Sequence, residues 1–62
     1  MPTTDRVLII IPALNESDSI GKVIAEIGAE LPAADVLVVD DGSTDETASA
    51  ARSAGAAVAV LP

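Results

Sequence analysis

An alternation between two hydrophobic periods is the strongest constraint on how this chain can fold. Val7–Ile11 and Val36–Val39 are short, continuous runs of leucine and β-branched residues, a pattern typical of strands buried on both faces of a parallel sheet. Between them, apolar residues recur at the spacing of one face of an amphipathic helix. These residues are Ile20, Val23, Ile24, Ile27 and Leu31. The first half of the chain therefore predicts a strand, a helix and a second strand.

Residues that flank these segments predict where they begin and end. Pro12 is expected to stop the first strand and Pro32 to end the first helix, because proline lacks a backbone N–H and disfavours a helical residue before it. An oxygen-bearing side chain at the start of the helix can cap its free N–H groups. The candidates for this cap are Ser17, Asp18 and Ser19.

The second half of the chain repeats the pattern. Ser43 and Glu46 have the spacing of a capping box, in which each side chain accepts a hydrogen bond from the backbone N–H of the other residue. We therefore expect a second helix to begin at Thr44 and to end near Ser53. Gly55 is suited to the left-handed turn that closes such a helix.

The predicted element order is β-α-β-α-β, with Ala57–Leu61 as the third and weakest strand. Alternation of this kind is typical of parallel sheets with right-handed crossovers, so the predicted fold class is α/β, the start of a Rossmann-like domain. Two helices are too few to cover both faces of such a sheet. We therefore interpret residues 1–62 as the amino-terminal, incomplete part of one domain.

Composition excludes several classes of function. The 62 residues include no cysteine, histidine or aromatic residue, and ten carboxylates against three cations leave a formal charge of -7. Disulfides and thiolate or imidazole metal sites are thereby excluded, and only a hard ion such as Mg²⁺ or Mn²⁺ could find ligands. Nucleic-acid binding needs a basic face and usually stacking aromatics, so no nucleic-acid partner is expected.

The hydrophobic segments are too short to span a membrane. The longest apolar run, Val7–Leu14, has eight residues and includes Pro12, whereas a bilayer-spanning helix needs about 20. Asp5 and Arg6 precede this run and Asn15 follows it, which does not fit a signal peptide. We expect a cytoplasmic location, with contact to the inner face of the membrane only through a part of the protein outside this segment.

Two polar loops follow the predicted strands, at the edge where open parallel sheets bind ligands. They are Pro12–Glu16 and Asp40–Asp45. If the strands are neighbours, Glu16 and Asp41 can approach one ligand, and a carboxylate there can accept hydrogen bonds from the N–H groups of a nucleobase. A structural alternative also fits, in which Asp40–Asp45 is only a polar turn into a capped helix and Glu16 is a solvated side chain.

Other nucleotide-binding motifs do not match this sequence. The first strand is followed neither by a glycine-rich dinucleotide fingerprint nor by a P-loop lysine. The glycine of Asp40–Asp45 stands third, where a calcium loop needs it sixth. Because a loop this acidic repels phosphate, the base and ribose of a nucleotide are the favoured ligands.

Ile9–Glu16 and Val38–Asp45, in this order and at this spacing, resemble the two opening signatures of glycosyltransferase family 2. Members of this family are inverting enzymes with the GT-A fold, and transferases similar to dolichol-phosphate-mannose synthase are among them. The resemblance covers nearly the whole chain but only the first part of the family's domain. It implies the nucleotide-binding portion of an enzyme that transfers a sugar from a UDP- or GDP-sugar to a polyprenyl phosphate or a glycan.

The resemblance also implies which residues contact the donor nucleotide. These are Pro12, Leu14, Glu16, Val39 and Asp41. Asp41 would be the main carboxylate at the base, with Asp40 as its structural neighbour. Leu14 stands where the family commonly has an aromatic residue, so an apolar contact would replace stacking on the base.

The family's catalytic base and its Asp-x-Asp metal motif have no counterpart before Pro62. We therefore expect Mg²⁺ or Mn²⁺ in the complete enzyme, and neither metal binding nor catalysis by this segment alone. The rest of the domain is its expected partner, and self-association is a further expectation. Two alternatives are a fragment without function and a receiver-like signalling module, although a receiver's acidic pair follows the first strand and Asp40-Asp41 follows the second.

Overall fold

The computed structural model describes residues 6–62, so of the residues considered above only Asp5 lies outside it. Five elements follow one another along the chain. They are β1 (Leu8–Ala13), α1 (Ile20–Glu30), β2 (Asp35–Asp40), α2 (Thr47–Ser53) and β3 (Ala57–Val60). The predicted β-α-β-α-β order is confirmed.

The three strands form one parallel sheet in the order β1-β2-β3. The register of β1 and β2 runs from Leu8 opposite Asp35 to Ala13 opposite Asp40. On the other side of β2, Asp40 lies opposite Val60 of β3. Because all three strands are parallel and in register at this end, their carboxyl ends meet at one edge of the sheet.

Both helices pack on the same face of the sheet. A sheet whose strands follow one another in chain order, joined by crossovers of one hand, has its helices on one side. A single hydrophobic cluster combines both helices, β1 and β2. Its buried members are Ala13, Ile20, Ile24, Val38, Ala51 and Ala56.

The opposite face of the sheet is open within residues 6–62. Leu8 and Ile10 of β1 are 56 % and 58 % exposed there, whereas Ile11, on the helix-facing side, packs against the core. The prediction that Val7–Ile11 is buried on both faces is therefore not met by the described residues. The reason is geometric, because side chains alternate between the two faces of a strand and helices cover only one of them.

Pro12 does not stop the first strand as predicted. β1 continues through Pro12 to Ala13, and Pro12 lies opposite Val39 in the register. The missing N–H is tolerated because β1 has one neighbour, β2, in the described sheet, and proline is compatible with such an edge strand. β2 extends one residue beyond the predicted Val36–Val39 at each end, and β3 ends one residue before Leu61.

Helix α1 begins at the first residue of the predicted stripe and ends at Glu30, two residues before Pro32. Ser19 is its N-cap residue but makes no side-chain cap bond. Its hydroxyl instead donates to the Glu16 carboxylate at 3.0 Å. Within residues 6–62, no helix has both the length and the apolar character needed to cross a membrane.

Helix α2 begins at Thr47, three residues after the predicted Thr44. The predicted capping box is wrong, because the Ser43 hydroxyl bonds to another loop and the Glu46 carboxylate accepts from the Ser49 hydroxyl at 3.0 Å. The first helical N–H, that of Thr47, donates to the Asp45 carboxylate at 2.9 Å. The predicted left-handed Gly55 after the helix is confirmed, with φ 99°.

Candidate functional site

The loops after β1 and β2 leave the sheet side by side. We call residues 14–19 the first loop and residues 41–46 the second loop. The ladder between β1 and β2 ends with one bond beyond Asp40, in which the Asp41 N–H donates to the Ala13 carbonyl at 2.9 Å. Leu61, after β3, donates its N–H to the Asp40 carbonyl at 2.8 Å. All three strands therefore contribute to this edge.

A small cleft lies where the two loops leave the sheet. Its volume is about 180 Å³, and it is lined by Pro12, Ala13, Leu14 and Asp41. Leu14 is about half exposed and Asp41 is exposed, so an apolar side chain and a carboxylate are both accessible to a ligand. The structure thus brings together three of the five residues predicted to contact a nucleotide.

A larger pocket, of about 620 Å³, lies at the opposite end of the sheet. It is lined mostly by small apolar residues, and its one charged lining residue, Asp35, is paired with Arg6 at 2.7 Å. Ligands of open parallel sheets bind at the carboxyl ends of the strands. The cleft at the carboxyl ends of the strands is therefore the candidate site, although its volume is smaller.

The other two predicted contacts, Val39 and Glu16, do not line the cleft. Val39 lies opposite Pro12 in the register, so it lies on the cleft's side of the sheet without forming its wall. Glu16 is exposed, and its carboxylate accepts the hydrogen bond from Ser19. Contact of either residue with a nucleotide stays a prediction.

The paired aspartates Asp40 and Asp41 have different surroundings. Asp40 is buried, with 3 % exposure, and its carboxylate accepts the Ser43 N–H at 2.9 Å. Gly42 turns the chain directly after the pair at φ 78°, a conformation that favours glycine. Asp40 therefore supports the turn, and Asp41 is the member of the pair that is left facing the cleft.

Three successive amides of the first loop donate to side chains of the second loop and of the first turn of α2. The Asn15 N–H donates to the Ser43 hydroxyl oxygen at 2.8 Å. The Glu16 N–H donates to the Thr47 hydroxyl oxygen at 2.8 Å. The Ser17 N–H donates to the Asp45 carboxylate at 3.3 Å. These bonds tie the two loops together.

Two hydrogen bonds run in the other direction, and the longer one is donated by the Thr44 hydroxyl to the side-chain oxygen of Asn15 at 3.4 Å. The Thr44 N–H donates to the side-chain oxygen of Asn15 at 2.9 Å. Asn15 itself has φ 52°, a left-handed conformation in which asparagine is over-represented. We call the residues that these five bonds join the clasp; they are Asn15, Glu16, Ser17, Ser43, Thr44, Asp45 and Thr47. The sequence analysis did not predict these contacts between the loops, although hydroxyl and carboxyl side chains alternate at positions 43, 45 and 47.

Asp45 is the ionised centre of the clasp. The hydroxyl of Thr47 donates to its carboxylate, and this bond, together with those from Ser17 and the Thr47 amide, lowers the pKa of Asp45 from 3.8 to about 2 against a smaller opposing effect of desolvation. Hydrogen bonds to the charged form stabilise that form. The carboxylate is therefore charged and already occupied by the protein's own donors at neutral pH.

The described residues do not assemble a metal site. Within residues 6–62, no three carboxylates are grouped so that they could hold a metal ion. The acidic side chains near the cleft are instead divided between turn formation, the clasp and solvent. The chemistry that this edge offers is apolar contact from Leu14 and hydrogen-bond acceptance by Asp41.

Comparison with known proteins identifies the family to which this edge belongs. The sequence profile of the family described as Glycosyl transferase family 2 matches residues 8–61. The chain belongs to glycosyl transferase family 2. The matched range includes all three strands, both loops and the whole clasp, so the resemblance that the two motifs indicated is confirmed.

Individual relatives agree with this assignment. The succinoglycan biosynthesis protein ExoU of Rhizobium meliloti (strain 1021) is 54 % identical over 48 residues, which are 77 % of this chain and 14 % of that protein. The 4,4'-diaponeurosporenoate glycosyltransferase of Staphylococcus aureus (strain USA300) is 54 % identical over 50 residues, which are 81 % of this chain and 13 % of that protein. The chain therefore spans about one-seventh of the length of these relatives.

A solved structure shows the same fold in a larger enzyme. Glucosyl-3-phosphoglycerate synthase from Mycobacterium tuberculosis, in complex with Mn²⁺, UDP-glucose and phosphoglyceric acid, superimposes with a TM-score of 0.78 at 33 % identity. The match covers 92 % of this chain and 21 % of that protein. The three-stranded parallel sheet thus has the architecture of part of this family's GT-A domain.

Proposed function

We propose that this chain is the amino-terminal, nucleotide-binding part of an inverting glycosyltransferase domain. The observation that carries the proposal is the cleft at the carboxyl ends of β1 and β2, where Leu14 and Asp41 are lining residues. The family membership of residues 8–61 supports it. A receiver-like signalling module is not favoured, because the same residues match a transferase family.

In this proposal the cleft receives the base of a nucleotide-sugar donor. A cleft of about 180 Å³ is smaller than the roughly 300–1,000 Å³ of sites that enclose a whole small ligand, so it fits one part of a nucleotide. Leu14 supplies an apolar contact to the face of the base, and the Asp41 carboxylate accepts hydrogen bonds from its N–H groups. Pro12, Val39 and Glu16 complete the proposed contacts.

The remaining machinery is proposed to lie outside this chain. Within residues 6–62 no three carboxylates are grouped to hold a metal ion, so Mg²⁺ or Mn²⁺ in the complete enzyme would need ligands from elsewhere. Such an ion neutralises the departing diphosphate when bound. We propose a UDP- or GDP-sugar as donor, a polyprenyl phosphate or a glycan as acceptor, and a location in the cytoplasm or at the inner face of the membrane.

The test is calorimetric titration of the complete protein with UDP and with GDP, for wild type and for Asp41→Asn. The substitution turns one acceptor oxygen into a donor that faces another donor on the base. We expect a loss on the order of 1–3 kcal/mol, about ten- to a hundredfold in affinity, for the nucleotide that wild type prefers.

Asp18→Asn is the matched control, because Asp18 is an exposed carboxylate of the first loop that does not line the cleft. It removes the same charge and should leave the affinity close to that of wild type. Equal losses in the two variants would show that general electrostatics, and not a contact of Asp41 with the base, controls binding. Wild type that binds neither nucleotide would refute the proposed function itself.

A further inference from the structure

We propose that Asn15, Asp45 and Thr47 are positioning residues for the donor base, which act by holding the first loop against the second. Through the clasp they fix where Leu14 and Asp41 stand across the cleft. This inference rests on the function proposed above and extends it to residues that do not line the cleft. It predicts that recognition of the base depends on side chains that do not line the cleft but hold the loops that do.

The clasp begins immediately next to the cleft walls. Leu14 is followed directly by Asn15, whose N–H is bound by the Ser43 hydroxyl. Asp41 lies two residues before Ser43. A change in the separation of the two loops would therefore move the side chains of Leu14 and Asp41, since neither residue is more than two positions from a side-chain bond that joins the loops.

Backbone pairing alone does not hold the loops in place. The last backbone bond between the two chain segments joins the Asp41 N–H to the carbonyl of Ala13, the final residue of β1. Beyond it, each hydrogen bond that joins the two loops within residues 6–62 uses a side chain from residue 15, 43, 44, 45 or 47. Side-chain substitutions can therefore release the loops without breaking the sheet.

Thr47 is a buried member of the clasp, and its hydroxyl both accepts and donates a hydrogen bond. It is fully buried, with 0 % exposure, and its hydroxyl accepts from the Glu16 N–H at 2.8 Å while donating to the Asp45 carboxylate. The same carboxylate accepts from the Ser17 N–H at 3.3 Å. One hydroxyl thus couples two successive amides of the first loop to the start of α2.

The occupied amides also restrict the kind of ligand that this edge can take. Successive backbone N–H groups often bind phosphate, but those of residues 15–17 already donate to the protein's own oxygens. The negative charge of Asp45 at their centre further opposes an anion. The clasp therefore serves the base end of the donor, and its loss should affect recognition of the base.

Two substitutions in the complete protein test this role. Thr47→Val removes the hydroxyl and keeps the shape, whereas Thr47→Ser keeps the hydroxyl and serves as its matched control. Asn15→Gly removes the side-chain acceptor from an exposed residue and preserves the left-handed backbone, so it does not depend on folding of a changed core. Affinities for UDP and GDP are measured by calorimetry for each variant.

We expect Thr47→Val and Asn15→Gly to weaken binding of the nucleotide that wild type prefers by about tenfold, with a smaller effect on the other nucleotide. The preference for one base over the other should therefore shrink in these two variants. Thr47→Ser, which keeps the hydroxyl, should retain the wild-type preference. Equal weakening of UDP and GDP, or no weakening in either variant, would overturn the positioning role while wild-type binding still supported the proposed function. Failure of wild type to bind either nucleotide would overturn both.

Discussion

Asn15 illustrates how a single residue can satisfy two requirements at once. Its backbone adopts φ 52°, which turns the chain out of β1, and its side-chain oxygen accepts the Thr44 N–H at 2.9 Å. Glycine would meet the first requirement and not the second. Valine or isoleucine would meet neither, because the left-handed region is strained for β-branched side chains and these two carry no acceptor. Asparagine at position 15 therefore serves both as a turn residue and as an acceptor for the second loop.

The ionisation of Asp45 leads to a prediction about pH. Because its folded pKa is about 2, below the ordinary value of 3.8, its contribution to stability is fully present above the ordinary value and is lost as the pH falls toward 2. NMR titration of the Asp45 carboxyl in the complete protein should show this low pKa. The acid sensitivity of folding between those two values should be smaller in Asp45→Asn, and an Asp45 that titrates at its ordinary pKa would contradict the prediction.

At the scale of the element, α1 shows how one helix face contributes to the core. Ile20 and Ile24 are buried at 3 % and 5 % exposure, while Val23 of the same apolar stripe is 38 % exposed. The stripe predicted from the sequence is therefore wider than the face that is buried in the described residues. Of this stripe, Ile20 and Ile24 are the residues buried in the core of the described part of the chain.

This difference predicts unequal costs for two truncations in α1. Ile24→Ala in the complete protein should lower the free energy of unfolding by about 2–5 kcal/mol, because it removes buried methyl groups and leaves a cavity. Val23→Ala changes a partly exposed residue and should cost clearly less. Chemical denaturation of both variants provides the measurement, and equal costs would indicate that further protein buries Val23 as deeply as Ile24.

The delayed start of α2 is also explained at this scale. Ser43 and Asp45 precede the helix and accept hydrogen bonds from amides of the first loop. Asp45 also accepts the N–H of Thr47, so the helix begins at Thr47 and not at Thr44. A capping box around Ser43 would have used the same hydroxyl within the helix. The interaction between the loops therefore displaces the local interaction that the sequence spacing favoured.

At the scale of the whole molecule, the open face of the sheet is the dominant feature. Leu8 and Ile10 are more than half exposed on β1, and the two helices lie on the opposite side. A chain of this size buries only about 60 % of the surface that its unfolded form exposes. These 62 residues therefore have a marginal core when nothing covers that face.

We predict that the isolated 62-residue chain is poorly folded or self-associates. Exposed β-branched and leucine side chains on a sheet face favour association. Circular dichroism with sedimentation analysis tests this, and Ile10→Lys provides a comparison, because a charge on the open face should reduce association without entering the core. A cooperative thermal transition in a dilute, monomeric sample would contradict the prediction.

The isolated chain should also be unable to transfer sugar. The described residues provide a cleft for a base but no group of three metal-ligating side chains, so donor activation would depend on residues elsewhere. Transfer assays with UDP- and GDP-sugars, with and without Mn²⁺, should show no turnover for this segment. Turnover that is lost in Asp41→Asn would show that the segment carries catalytic machinery of its own.

Much of the fold could be predicted because the relevant patterns are local. The runs that contain Val7–Ile11 and Val36–Val39, and the helical stripe between them, determined the element order and the α/β class from neighbouring residues alone. The two motifs were sufficient to identify the family. The boundary at Pro12 was predicted wrongly, since whether a proline ends a strand depends on which neighbours the strand has in the sheet.

The amino-acid sequence by itself determined the alternating elements, the polar loops after two strands and the family, because these depend on residue types at short spacing. Only the tertiary structure decided that Leu14 and Asp41 share a cleft, that Asp40 is buried beside them and that Ser43 bonds a loop instead of a helix. Clasp partners lie 28 to 31 positions apart, and no local pattern encodes which distant amide meets which hydroxyl. That pairing follows from the parallel register of β1 and β2, which brings their carboxyl ends together.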